Sequence, residues 1–301
     1  MVALMKMISF SEFGGPDVLR FIDAEPPHAA EGQIRISVSA AGVNPVDWRI
    51  RLGQRQESHP ISLPSGIGQD ASGIVDEVGD GVTGIQEGDA VFGRGLDTYA
   101  EHAVLTSWAP LPSSLSFAEA AGYPSVVETA LRAIREVGVE AGQTLLVSGA
   151  SGGVGSAAVQ IAVARGITVI GTAGSANQEY VRGLGALVTT YGDGWTDRVG
   201  EYGQVDAAID VAGSGVIADL VSITGNPDRV VTIADLSGPS LGVRFLGVGG
   251  DMFVALNIAV ELIDAGLLRI PIEKSYPLAD AATAQSDSQA GHTRGRRVLI
   301  P

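Results

Sequence analysis

Thr144-Leu-Leu-Val-Ser-Gly-Ala-Ser-Gly-Gly-Val-Gly155-Ser-Ala-Ala-Val-Gln160 decides how this chain folds. An apolar run with the length of a buried strand enters a glycine-rich turn, and the turn opens a helix. Ala150, Gly152 and Gly155 keep the spacing of the dinucleotide fingerprint, with alanine in the first glycine position. Along Ala150, Ser151, Gly152, Gly153, Val154 and Gly155 the backbone is open enough to approach a pyrophosphate. The free amides and positive dipole end of the following helix stabilise its charge. A plain tight turn is the alternative for an isolated match, and the neighbouring pattern argues against it.

Working outward, strands and helices alternate: Thr144 to Ser148, helix Val154 to Ala164, strand Thr168 to Gly171, helix Ala176 to Leu184, strand Leu187 to Thr190. The alternation continues with strand Asp206 to Val211, a helix from Ser214, strand Arg229 to Ala234 and helix Phe253 to Ala265. Such spacing indicates right-handed βαβ units and a doubly wound parallel sheet. On either side the texture is β. Gln33 to Val43 alternates, Gly73 to Val78 and Ala90 to Phe92 are short strands between glycine turns, and Arg297 to Ile300 closes the chain. Ser116 with Glu119, and Ser125 with Glu128, both fit the Ser-x-x-Glu capping box, which predicts two helices at the transition. The expected class is α/β: a β lobe from residues 1–122 and 266–301, with a dinucleotide-binding domain at 123–265 inserted into it.

Composition narrows the function. Among 301 residues, 19 Lys and Arg face 34 Asp and Glu, a formal charge of −15 that repels nucleic acid and anionic membrane. There is no cysteine, hence no disulfide, thiolate nucleophile or thiolate-bound zinc. The histidines at 28, 59, 102 and 292 lack ligand spacing, so no metal is expected. The apolar stretch Phe253 to Ile263 is short and carries Asn257 and Glu261, and MVALMK reaches a lysine before a signal core develops. These features predict a cytoplasmic enzyme; Met1, Met5 and Met7 are alternative starts.

An NAD site usually carries an acid about 20 residues after the glycine loop, at the end of the second strand. Here Thr172-Ala-Gly-Ser175-Ala-Asn177 stands there and the first acid is Glu179. No carboxylate repels a 2′-phosphate and Ser175 and Asn177 offer donors, so NADPH is the expected cofactor, although no Lys or Arg lies in the loop. Ser175 also fits as a helix cap. Ala212 and Gly213, and Ile233 and Ala234, follow successive strands and should line the cofactor through their backbones.

Ala41-Gly-Val-Asn-Pro-Val-Asp47 with Trp48-Arg-Ile-Arg51, Gly68-Gln-Asp70-Ala-Ser-Gly73, Glu87-Gly-Asp-Ala-Val-Phe92, the glycine loop, and Gly291-His-Thr-Arg-Gly295 before Val298-Leu-Ile-Pro301 occur in a specific order. Across nearly the whole chain the sequence resembles the zinc-independent quinone oxidoreductase branch of the medium-chain dehydrogenase/reductase superfamily. The resemblance implies a GroES-like β lobe, an inserted Rossmann domain and an active site in the cleft between them. It places Asn44, Gln69 and Tyr123 where zinc-using relatives have a Cys, a His and a Cys. Without a Lewis acid, alcohol oxidation loses its means of forming an alkoxide, whereas hydride addition to a quinone or enone needs only donors or a proton source.

The resemblance also assigns roles. Asn44 donates to a substrate oxygen or touches the nicotinamide, with an Asn-Pro turn as the alternative. Asp47 relays a proton or, as an aspartate near its usual pKa, holds the loop; Asp70 ties the lobe together. Tyr123 offers a phenol at the cleft mouth, or simply packs. Ser125 and Thr129 face the nicotinamide amide or ribose, Tyr191 lies beside the adenosine 2′-phosphate or is simply a strand-end aromatic, and Gln178 replaces a frequent lysine. Arg294 reaches the phosphates, while Arg296 and Arg297 read as a solvated turn. The segments Gln54 to Ser58 and His59 to Ser62 shape the acceptor pocket, and Val243 to Val254 is the expected homodimer region. The reading is an NADPH-dependent, zinc-free reductase of quinones or α,β-unsaturated carbonyls. A dedicated enone reductase of a biosynthetic pathway and a non-catalytic NADPH-binding sensor are its rivals.

Overall fold

Fifteen strands and nine α-helices order the described residues of the computed structural model, which are 4–54, 56, 60–247 and 249–301. In chain order these begin with β1 (Met5–Phe10), β2 (Arg20–Ala24), β3 (Ile34–Val43), α1 (Pro45–Arg51), β4 (Ser65–Gly66), β5 (Asp70–Val78), β6 (Ala90–Leu96), β7 (His102–Pro110) and α2 (Phe117–Ala120). Helix α3 (Pro124–Val137) precedes β8 (Thr144–Ser148), α4 (Gly153–Ala164), β9 (Thr168–Thr172), α5 (Gln178–Gly183), β10 (Leu187–Thr189), α6 (Trp195–Gly200), β11 (Ala207–Asp210), α7 (Ile217–Thr224), β12 (Val230–Thr232) and β13 (Arg244–Phe245). The chain ends with α8 (Met252–Asp264), β14 (Ile272–Pro277), α9 (Ala281–Ala290) and β15 (Arg296–Ile300).

Two compact units result: residues 1–125, 252–264 and 270–301, and residues 126–251 with 265–269. The first carries a six-stranded sheet ordered β14-β15-β3-β5-β6-β7, with β3 also pairing β7, and a small sheet β2-β1-β4. Strand β3 is central because its alternating residues Ile34, Ile36 and Val38 enter the core while β5, β7 and β15 all pair with it. Phe10, Val75, Val91, Tyr99, Leu105 and Leu299 join that core. Fully burying an aliphatic side chain of this size contributes about 1.5–3 kcal/mol over leaving it in water. Helix α8, expected with the dinucleotide-binding domain, groups with this unit instead, and Phe253 meets Trp108 of β7 edge to face with ring centres 5.3 Å apart.

The second unit is a parallel sheet ordered β10-β9-β8-β11-β12-β13. Leu145, Leu146 and Val147 are all buried, as a strand covered on both faces requires. The first strand at the centre and the second beside it give the doubly wound topology that the glycine turn implied. Among the described residues no helix is long and apolar enough to cross a membrane.

Several local expectations change. Ser116 caps α2, its Oγ accepting from Glu119 N–H while Glu119 reaches back to Ser116 N–H at 2.9 Å. Ser125 does not cap α3, because the helix starts one residue earlier at Pro124, whose missing N–H and fixed φ suit a first turn. Ser175 does not cap either: a 3-10 turn over Ser175–Asn177 starts from Gly174 without a side-chain cap bond. Helices α1 and α9 stand in regions read as β.

Helix α4 reaches the sheet through Gly155. A Cβ there would lie 2.1 Å from the Gly149 carbonyl oxygen and 2.8 Å from Ala150 Cα, both backbone atoms that cannot swing away. Gly155→Ala should therefore lower the urea midpoint by the equivalent of about 1–3 kcal/mol. Gly183→Ala, at a helical position with nothing within 4 Å of the added methyl, should hold or raise it. Equal midpoints for the two variants would contradict the packing account.

Candidate active site

The motif residues of the first unit meet through sheet register. Strand β15 pairs antiparallel with β3, Arg297 opposite Val43 and Val298 opposite Gly42, and β5 sets Asp70 opposite Gly42 on the other side. Arg296, Asn44 and Asp70 thereby converge across three adjacent strands. Gly42 leaves the room: a Cβ on it would lie 2.3 Å from Ala121 O, 3.1 Å from Asp70 Cβ and 3.3 Å from Arg296 Nη2.

Arg296 Nη2 donates to Asn44 Oδ1 at 2.7 Å, and Asn44 Nδ2 donates to Asp70 Oδ2 at 3.0 Å. A guanidinium can only donate, so the Asn44 oxygen must face Arg296 and its amide nitrogen must face Asp70. One amide hydrogen has no partner among the described residues. Asp70 is completed by Ser125, whose Oγ donates to Oδ1 at 2.6 Å and whose N–H donates to Oδ2 at 3.2 Å. Arg296 Nη2 lies 3.9 Å from Asp70 Oδ2. Burial pulls the Arg296 guanidinium's pKa down, and Asp70 and then Asp47 oppose the shift. All four side chains except that of Ser125 belong to buried residues.

Asp47 stands three residues along, on the first turn of α1. Its Oδ2 accepts from Asn44 N–H and from Tyr99 Oη, each at 2.7 Å, while Oδ1 has no hydrogen-bond partner among the described residues. Burial raises its pKa from 3.8 to about 7, against the lowering effect of those two bonds. The expectation of an aspartate near its usual pKa is thus corrected: full burial, invisible in a local motif, sets the value. Tyr99 is pushed up as well, by burial and by Asp47.

The other motif positions are occupied differently. Tyr123 is fully buried and its Oη accepts from Ile270 N–H at 3.0 Å, so the phenol is not at an open mouth. Arg296 and Arg297 are buried, the reverse of a solvated turn, because both lie on β15; Arg297 pairs with Glu273 at 2.9 Å and donates to Asp287 O and Thr293 Oγ1. Arg294 is exposed and its N–H donates to Glu273. His28 and His102 pair with Glu77 and Asp76, and His59 lies outside the described residues, as do Arg55, Glu57 and Ser58 of the proposed acceptor-pocket segments.

In the second unit the strand ends build a backbone cradle. Gly149 N–H donates to Thr172 Oγ1 and Ala150 N–H to Thr172 O, so Thr172 anchors the glycine turn. The first intrahelical bond of α4 runs from Ser156 N–H to Gly152 O, which leaves the N–H groups of Gly153, Val154 and Gly155 at the open end of the helix. Ser151 Oγ and Asn177 Nδ2 approach to 3.5 Å. Buried Asp210, which the sequence reading passed over, accepts from the N–H groups of Ala212 and Gly213 through Oδ1 and from Thr232 Oγ1 through Oδ2. Thr232 Oγ1 accepts in turn from Ala234 and Asp235 N–H. Gly213 has φ +65°, and a Cβ on it would lie 2.9 Å from Ala234 Cβ, so the turns carrying Ala212 and Gly213 and Ile233 and Ala234 lie side by side. Thr129, on α3, has its hydroxyl 3.5 Å from Glu128, whose carboxylate pairs with Arg132 at 2.8 Å. Tyr191 is exposed beside Gly174. Gln178 folds back, Nε2 donating to Ala173 O at 2.9 Å.

A β unit wrapped by both chain ends, joined to a doubly wound sheet with a fingerprint turn, defines a dehydrogenase or reductase of the medium-chain type. Residues 30–113 match the alcohol dehydrogenase GroES-like domain, and residues 184–299 match a zinc-binding dehydrogenase domain. The chain is 33% identical to a quinone oxidoreductase of Rattus norvegicus over 99% of its own length and 98% of that protein's. It is 31% identical to the 2-methylene-furan-3-one reductase of Solanum lycopersicum, covering 99% of this chain and 79% of that one. The quinone oxidoreductase of Escherichia coli, solved in complex with NADPH, superposes with a TM-score of 0.83 at 27% identity over 98% of this chain and 100% of that one. The chain belongs to the zinc-independent quinone oxidoreductase branch of the medium-chain dehydrogenase/reductase superfamily.

The residues do not fit the zinc that one matched domain's description names. Asn44 Oδ1 faces Arg296, Gln69 Oε1 accepts from Arg94 Nη2 at 2.7 Å, and Tyr123 Oη accepts from Ile270 N–H. Guanidinium groups stand against two of the three oxygens, and none of the three residues supplies a thiolate or imidazole.

Asp47 links this cluster to stability. Its folded pKa of about 7 lies above its ordinary 3.8, so its contribution is complete at low pH and is lost as pH rises towards 7. Asp47→Asn keeps an acceptor for Asn44 and Tyr99 and does not ionise. Urea midpoints at pH 5 and pH 8 should show a smaller fall with rising pH in the variant than in the parent; an identical fall would remove Asp47 as the cause.

Proposed function

We propose that the protein is an NADPH-dependent, zinc-free reductase that transfers hydride to quinones or to α,β-unsaturated carbonyl compounds. The observation that carries this reading is the Asn44 amide, held by Arg296 and Asp70 with one N–H remaining, at the motif position where zinc-using relatives have a metal ligand. Bound NADPH supplies the hydride. The backbone cradle of Gly153, Val154 and Gly155 binds the pyrophosphate. Asn44 Nδ2 donates to the acceptor oxygen as negative charge develops there, and because its partners fix it beforehand the donor needs no reorganisation. Asp47 holds a proton near neutral pH. With Oδ2 already accepting two hydrogen bonds, that proton resides on Oδ1.

A single dedicated enone is the second reading, favoured by a relative named as a furanone reductase that aligns over 99% of this chain. The reading also includes a cytoplasmic homodimer. In support of the dimer, β13 is a terminal strand of its sheet, with one side unpaired among the described residues.

The test is loss of NADPH absorbance with a panel of quinones and enones, with NADH and a chelator as parallel arms. Turnover that prefers NADPH and ignores the chelator is the expected result. Tight NADPH binding without turnover on any acceptor would favour the sensor. Asn44→Ala should lower kcat by about 10²-fold, the usual effect of losing one oxyanion donor, while the Kd for NADPH changes little.

A further inference from the structure

In NADP-binding sheets of this kind the 2′-phosphate lies at the end of the second strand. That strand is β9, and the loop after it, residues 173–177, contains no lysine or arginine. The fold brings a cation from elsewhere. Strand β10 pairs in parallel with β9, Thr189 beside Thr172, and Ala173 N–H donates to Thr189 O at 3.1 Å. The turn after β10 therefore runs beside the loop, and a Cβ on Gly174 would lie 3.2 Å from Tyr191 Oη.

Arg198, on α6, holds that turn with three hydrogen bonds. Nε donates to Thr189 Oγ1 at 3.3 Å, Nη2 to Thr190 O at 3.1 Å and Nη1 to Asp193 O at 2.8 Å. These bonds use one hydrogen on each terminal nitrogen and leave one on each. Arg198 forms no ion pair among the described residues, so its charge is not spent on a carboxylate. Exposed Glu179, Asp193 and Asp197 on the neighbouring segments would repel a phosphate, which makes an uncompensated cation there consequential.

We propose that Arg198 is the residue that makes this protein prefer the 2′-phosphorylated dinucleotide, by fixing the Tyr191 turn and placing a permanent positive charge beside it. The proposal rests on the NADPH reading and names the residue behind the preference. Sequence inspection misses it because Arg198 lies on a different helix from the loop it serves.

The test is titration calorimetry of the full chain with adenosine 2′,5′-bisphosphate and with 5′-AMP, two probes that differ by the 2′-phosphate. The parent, Arg198→Met and Arg198→Lys are compared. In Arg198→Met the affinity for the bisphosphate should fall by about tenfold or more while that for 5′-AMP stays within about twofold. Arg198→Lys should fall between, keeping charge without the three-point hold. Equal losses for both probes, with no rescue by lysine, would reduce Arg198 to a structural brace and overturn the proposal, as would no loss at all. If Arg198→Met does not fold, Arg198→Lys decides: a selective loss of bisphosphate affinity supports the proposal and an unselective or absent loss rejects it. A parent that binds the two probes equally would fail the NADPH reading itself, before any variant is compared.

Discussion

Arg296 is buried with its charge intact, and the arrangement of the first unit's site follows from that. Removing a guanidinium from water costs several kcal/mol unless hydrogen bonds and an opposite charge compensate. Here the compensation is Asn44 Oδ1 and the neighbouring Asp70. The bond from Arg296 Nη2 forces the orientation of Asn44, which occupies one lone pair of Asp70, whose remaining acceptors order Ser125 at the start of α3. A single electrostatic requirement thus ties β15, β3, β5 and the first turn of α3 together. The same requirement denies the Asn44 oxygen to a metal.

The second unit solves its problem with backbone geometry. Asp210 and Thr232 are buried polar residues, but both spend their side chains on N–H groups of the turns that follow their own strands, and on each other. The surface they shape is made of small residues and peptide groups. Substitutions there act through steric fit, as the 2.1 Å approach at Gly155 illustrates, whereas substitutions around Arg296 act through charge.

The sequence made the second unit legible because its signals are local. Strand, turn and helix around Gly149 lie within about twenty residues, and β8 was read with its observed ends. Helix α9, AATAQSDSQA, escaped because small and polar residues show no apolar stripe. Helix α1 escaped because Asn-Pro suggested a turn and the helix is only seven residues long. In the cluster, Asn44, Asp47 and Asp70 stand in recognisable motifs, but the reading of Arg296 and Arg297 as a solvated turn is reversed: both are buried. Which arginine turns inward depends on the register of β15 against β3, a pairing across more than 250 residues that no local pattern reports. The Ser125 capping pattern failed likewise, since Asp70 claims the serine from another strand.

The charge of Asp47 bears on the proposed reaction, which builds negative charge. Arg296 and Asp70 cancel as a pair and Asn44 is neutral, so the net charge is set by Asp47 alone. Protonated, Asp47 leaves the cluster neutral, and an oxyanion accepting from Asn44 meets no repulsion. Ionised, it adds a full negative charge three residues from Asn44, in surroundings too buried for water to screen it well. Because burial sets its pKa at about 7, the change falls within the physiological range. In the proposed reaction Asn44 is therefore the better donor on the acid side of neutrality, and the Tyr99 and Asn44 N–H bonds to Oδ2 hold the carboxyl group in one orientation.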